Sequence, residues 1–141
     1  MATTTTVTVD VAASPEAIWA VLIDVERWPE WTASVRRARR LDAGPFAVGS
    51  RARLEQPKLP PAVWRVTELV APHSFLWVSR APGLTTEAVH RLDLNERGGT
   101  TVTLGVSQTG PLGRLMARII GGLTERYVNM EAEGLKRAAE A

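Results

Sequence analysis

From Ser34 to Thr109 the chain breaks into six short runs of alternating apolar and polar residues, each closed by turn chemistry. The runs fall near 34–42, 49–56, 62–70, 74–81, 85–95 and 100–108. Between them stand Ala43-Gly44-Pro45, Pro57 through Pro61, Pro72, Pro82-Gly83 and Gly98-Gly99. Period-two runs bounded by Gly and Pro predict strands, and connections this short predict antiparallel neighbours in a meander. A seventh strand is expected at 4–11, where Val7, Val9 and Val11 alternate with Thr6, Thr8 and Asp10.

The strands are framed by two helical signals. Ser14-Pro15-Glu16 reads as a helix start, with Ser as N-cap, Pro in the first turn and an acid at the positive end of the dipole. Pro29 stops or kinks whatever follows that helix. After Gly110-Pro111 a single helix is predicted to Glu140, on the order of 45 Å long at ~1.5 Å per residue. Leu112, Leu115, Met116, Ile119, Ile120, Leu123, Tyr127 and Met130 recur along it at helical spacing, so this stripe is expected to face the core. A run of strands with helices segregated to one side gives an α+β class, with one sheet wrapped around the long helix. At 141 residues, with no repeat or linker, the chain is expected to form one domain spanning 1–141.

Charge and composition remove several functions. Residues 36–65 carry eight bases against two acids, including Arg36, Arg37, Arg39 and Arg40, which raises a nucleic-acid reading. In a strand, however, neighbouring arginines point to opposite faces, and no DNA-binding motif accompanies them, so no nucleic-acid partner is expected. The longest apolar run, Ala17–Ile23, is too short to span a bilayer, so no membrane insertion is expected. The N-terminus lacks the basic and apolar regions of a signal peptide, which points to a cytoplasmic location. Without cysteine, thiolate chemistry is excluded. Two separated histidines without a third ligand make a metal site unexpected, and no Gly-rich strand-to-helix loop offers a nucleotide cofactor its phosphate cradle.

Strand parity assigns an inner face. It carries Ala52, Leu54, Gln56, Trp64, Val66, Phe75, Trp77, Ala88, His90, Leu92, Leu94, Val102, Leu104 and Val106. Above it the long helix contains Gly121-Gly122 and Gly134, each costing roughly 0.8–1 kcal/mol against alanine. A kink, a close helix–sheet approach or space kept open beneath the helix would account for that cost.

The succession SPEAIWAVLIDVERWPEW, VGSRARLEQP, VWRVTELVAPHSFLW, EAVHRLDLNERGGTTVTL and GPLGRLMARIIGGL resembles the polyketide cyclase/dehydrase and lipid-transport family of the START-related, birch-pollen-allergen-like superfamily. The resemblance runs from about Val7 to Ala139. It implies a helix-grip fold: a curved seven-stranded antiparallel sheet around the C-terminal helix, with two short helices between strands one and two. It also implies an apolar cavity between sheet and helix that takes a small hydrophobic or aromatic ligand, lipid- or polyketide-like. The expected lining is Trp31, Leu54, Trp64, Phe75, Trp77, His90, Leu92, Leu104, Met116, Ile120 and Tyr127. Members of the family include aromatase/cyclases, so the alternative is an enzyme with His90 as general acid/base, without metal or nucleotide. Of the two tryptophans flanking Pro29, Trp31 is expected to turn into the pocket and Trp28 to staple the short helices to the sheet edge. The exposed sheet edges allow either a monomer or a homodimer.

Overall fold

The computed structural model describes residues 3–141. The order is β1 (Thr3–Val11), α1 (Pro15–Leu22), a 3₁₀ segment (Val25–Glu30), β2 (Arg37–Arg40), β3 (Arg51–Glu55), β4 (Ala62–Val70), β5 (Ser74–Ala81), β6 (Leu84–Leu94), β7 (Thr100–Thr109) and α2 (Gly113–Glu140). All seven strands join one antiparallel sheet in the order β1-β7-β6-β5-β4-β3-β2. The architecture is the α+β helix-grip arrangement that the strand pattern and the resemblance imply. Both short helices fall between β1 and β2, and the second is a 3₁₀ turn that contains Pro29.

Local chemistry sets the boundaries. The Ser14 hydroxyl accepts from the Ala17 N–H at 3.1 Å, capping α1, and Pro15 occupies the first helical turn. Asn95 Oδ1 accepts from the N–H groups of Arg97 and Gly99, closing the β6–β7 hairpin, with Gly98 at φ +80°. At the far end Glu140 Oε2 accepts from the Ala12 N–H at 2.8 Å and from Lys136 Nζ at 2.6 Å. The Ala12 hydrogen bond, followed by Lys136, holds the Glu140 carboxyl below the usual carboxylate range. These bonds fasten the last turns of α2 to the end of β1.

Burial follows the expected parity through most of the sheet. Ala52, Leu54, Trp64, Val66, Phe75, Trp77, Ala88, His90, Leu92, Val102 and Leu104 are buried. Leu94 departs from it: as the last residue of β6 it is 71% exposed. The stripe on α2 also divides. Tyr127, Val128, Ala132 and Leu135 are buried, whereas Leu112, Leu115 and Ile119 are 42%, 51% and 65% exposed. Periodicity identifies a helical face but not how far a sheet extends to cover it.

The three helical glycines have different causes. A Cβ built on Gly134 would lie 1.9 Å from the Trp31 carbonyl oxygen, so α2 crosses the 3₁₀ segment here at backbone contact. Cβ atoms on Gly121 and Gly122 would meet nothing within 4 Å. Packing therefore does not require these two. Gly121→Ala is expected to raise stability by about 0.5–1 kcal/mol, the ordinary helix-interior difference, read as a higher urea midpoint. An unchanged or lower midpoint would show that the glycine has a structural role.

Candidate functional site

α2 lies chiefly over β1 and β7 and leaves the concave face of β3 to β6 partly uncovered. The gap is a pocket of about 400 Å³. Trp28, Val35, Leu54, Trp64, Trp77 and Ala88 line its floor and inner end, and Met116, Ile120, Tyr127 and Val128 of α2 form its roof. Gln56, Leu59, Pro60 and Pro61 of the β3–β4 loop, with Arg80, Ala81 and Leu84 around the β5–β6 turn, line the other end. From His90 to Leu84 along β6 is six residues, which at ~3.3 Å each makes the slot roughly 20 Å long.

The inner end is aromatic. The Trp77 ring has Trp28 at 5.3 Å, Phe75 at 5.5 Å, Trp64 at 5.6 Å and His90 at 5.9 Å. The imidazole of His90 stacks on Phe75 with centroids 4.0 Å apart and planes 10° apart. Phe75, which is not part of the pocket lining, thereby braces the ring.

His90 is 3% exposed and its Nε2 lies 3.3 Å from Glu131 Oε1. The separation suits an ion pair, but the two atoms are not aligned as a hydrogen bond, and Glu131 Oε1 has no hydrogen-bond partner among the described residues. His90 Nδ1 and Trp64 Nε1 are likewise buried without a partner. Three polar atoms without a protein partner therefore lie at residues lining one largely apolar slot. The Tyr127 hydroxyl, in contrast, donates to the Pro57 carbonyl and ties the roof to the β3–β4 loop.

Of the residues predicted to line the cavity, Leu54, Trp64, Trp77, His90, Met116, Ile120 and Tyr127 come together around the pocket. Phe75, Leu92 and Leu104 are buried in the core beside it, outside the lining. Trp28 ties the short helices to the sheet as expected but also enters the pocket lining, where Trp31 was expected. Trp28 is 1% exposed, lines the pocket and donates its Nε1 to the Leu22 carbonyl at 2.9 Å. Trp31 is half-buried and lines an outer groove with Ala20, Asp24, Arg27 and Gly134. The reason is the 3₁₀ segment: its last turn carries Trp28 under the helix, while the carbonyl of Trp31 rests against Gly134. Glu131 was missed as well. It falls four residues beyond Tyr127 on the face of Ile120 and Thr124, a placement the helical period contains but an apolar-stripe search discards.

Comparison with known proteins fits this architecture. The family model for polyketide cyclase/dehydrase and lipid transport matches residues 2–140. Among solved structures, the Zhui aromatase/cyclase from Streptomyces sp. R1128 superposes with a TM-score of 0.80 at 16% identity, over 99% of this chain and 94% of that one. A START superfamily protein from Mycobacterium smegmatis gives 0.75 at 17% identity, over 95% and 97%. Ara h 8.0201 gives 0.66 at 9% identity, over 96% and 98%. No curated protein matches the sequence. The structural likenesses establish the shared fold, and the match over nearly every residue establishes kinship: the chain belongs to the polyketide cyclase/dehydrase and lipid transport family.

Proposed function

We propose that the protein binds a small hydrophobic or aromatic molecule in the slot between sheet and α2. The observation that carries this reading is the slot itself: about 400 Å³, walled by Trp28, Trp64, Trp77, Met116 and Ile120. That volume lies within the ~300–1,000 Å³ of small-molecule sites, and a mostly apolar wall with a few polar groups is their usual make-up. The body of the ligand replaces water against the indoles, and the polar groups at His90 and Glu131 orient it.

Three tryptophans in the wall make intrinsic fluorescence a direct reporter. Titration with the uncharged probe N-phenyl-naphthylamine is expected to quench tryptophan emission saturably, with one molecule bound per chain. Thr124→Trp, which places an indole in the slot from α2, is expected to abolish that binding while the chain stays folded. Saturable quenching that survives Thr124→Trp would place the probe elsewhere.

A second reading is favoured by one observation, the 3.3 Å approach of Glu131 Oε1 to His90 Nε2. An imidazole and a carboxylate this close, facing an apolar slot, are the kind of pair that can move a proton in enolisation or dehydration of a poly-β-ketone. The likeness to an aromatase/cyclase supports this alternative. Turnover of a poly-β-ketone that His90→Gln abolishes would favour the enzyme; altered affinity alone would favour the carrier.

A further inference from the structure

We infer that the end of the molecule carrying the slot's open rim is a docking face for the surface of an anionic lipid bilayer. The rim is built from the β3–β4 loop, the β5–β6 turn and the first two turns of α2. The first two lie at one end of the sheet because β4 begins where β5 ends. α2 joins them there, since the Leu112 N–H donates to the Gly83 carbonyl at 2.8 Å.

Two independent properties coincide on this rim. The first is apolar exposure. Met116 and Ile120 turn into the slot, while Leu112, Leu115 and Ile119, at spacings of three and four, form a second apolar stripe that faces solvent at 42–65% exposure. Contiguous exposed apolar residues on a helix that also carries cations are the usual make-up of an interfacial helix. The second property is charge. Residues 56–67, 69–86 and 97–124 contain no Asp or Glu. Lys58, Arg80 and Arg118 are exposed along the rim. Of the acids that border these windows, Glu55 is engaged by Arg53 at 3.1 Å, Glu68 and Glu87 lie on β4 and β6, and Glu125 follows on α2. The acids Asp10, Glu16, Asp24, Glu26, Glu30, Glu96 and Glu140 lie on or beside β1, the short helices, the β6–β7 turn and the end of α2, at the opposite end.

This charge separation selects the occupant. A purely apolar partner would need no cations and a soluble polyanion would need no leucine stripe; an acidic protein with an apolar patch is the competing occupant, and a wild-type chain that does not float would favour it. An anionic leaflet takes both: the leucines and isoleucine enter the boundary of the acyl region and the cations meet the headgroups. Attachment is to the surface only, since no helix among the described residues is long and apolar enough to cross a membrane. In this orientation the slot opens toward the bilayer, so an apolar ligand passes between lipid and protein without crossing water.

The test is flotation of the full chain with vesicles of phosphatidylcholine alone and with an equal mixture of phosphatidylcholine and phosphatidylglycerol. Binding is expected to the mixed vesicles, to weaken at high salt, and to fall at least tenfold on pure phosphatidylcholine. Ile119→Asp and the uncharged Ile119→Ser are both expected to weaken it, the former by an order of magnitude or more. Arg118→Glu is expected to weaken it at least about fivefold, as each cation near an anionic leaflet contributes on that scale. Both sites are exposed, so thermal unfolding should show the variants folded. Wild-type protein that stays with the aqueous fraction overturns the inference, as does an Ile119→Asp variant that floats like wild type. Self-association without flotation, lost in Ile119→Asp, would overturn it by assigning the stripe to a second copy of the chain. None of these outcomes depends on the slot being filled, so the ligand-binding proposal stands or falls separately.

Discussion

Trp28→Ala is expected to lower stability by about 3–5 kcal/mol, the upper range for deleting a large buried side chain. Trp28 is almost wholly enclosed, with Trp77 at 5.3 Å, Trp31 at 5.6 Å and His90 at 5.9 Å. Its removal strips neighbours from one side of the aromatic cluster and leaves the Leu22 carbonyl without its 2.9 Å donor. The space left by an indole opens directly onto the slot, so water enters and the surrounding rings have little to collapse against. Urea denaturation should show the loss as a lower midpoint at unchanged slope. Trp31→Ala, with a side chain only partly buried at the edge of the core, should cost clearly less. Equal losses at the two positions would contradict the assignment of Trp28 to the core.

The second large effect comes from a single methyl group. Gly134→Ala sets a Cβ 1.9 Å from the Trp31 carbonyl oxygen and 3.0 Å from its carbon. Both are backbone atoms, so no rotamer change relieves the clash. The last turns of α2 and the 3₁₀ segment must separate, which also pulls on the Glu140 fastening to Ala12. A loss of at least about 3 kcal/mol is expected, the top of the usual range for overpacking. For a chain of this size that corresponds to a thermal midpoint roughly 10 °C lower. On the same helix Gly121→Ala is expected to act in the opposite direction, because a Cβ there meets open space. A Gly134→Ala protein as stable as the wild type would mean that the crossing is looser than described.

Sequence reasoning reaches most of this fold because strand parity and turn residues are local. The hairpin at Asn95–Gly99, the Ser14 cap and the inward positions of Trp64, Phe75, Trp77 and His90 all follow from a few residues of context. What escapes is set by how separate elements meet. Whether Leu115 and Ile119 are covered depends on which strands α2 crosses, and it crosses β1 and β7 at the edge. The placement of Trp28 in the lining and of Trp31 outside it depends on the geometry of the 3₁₀ turn and on a contact with Gly134 more than one hundred residues away. Glu131 was overlooked because a charged residue on an apolar stripe reads as solvent-facing, although the period puts it beside Tyr127. The reason for Gly134, an approach of α2 to the 3₁₀ segment and not to the sheet, likewise depends on a distant neighbour, Trp31.

The most direct test of the central claim is native mass spectrometry of the full chain, purified without denaturant and incubated with N-phenyl-naphthylamine. The account predicts one adduct per chain, either the probe or a co-purified apolar molecule that it displaces, and no adduct in Thr124→Trp. A wild-type spectrum showing the bare chain alone under conditions that preserve other weak complexes would contradict it.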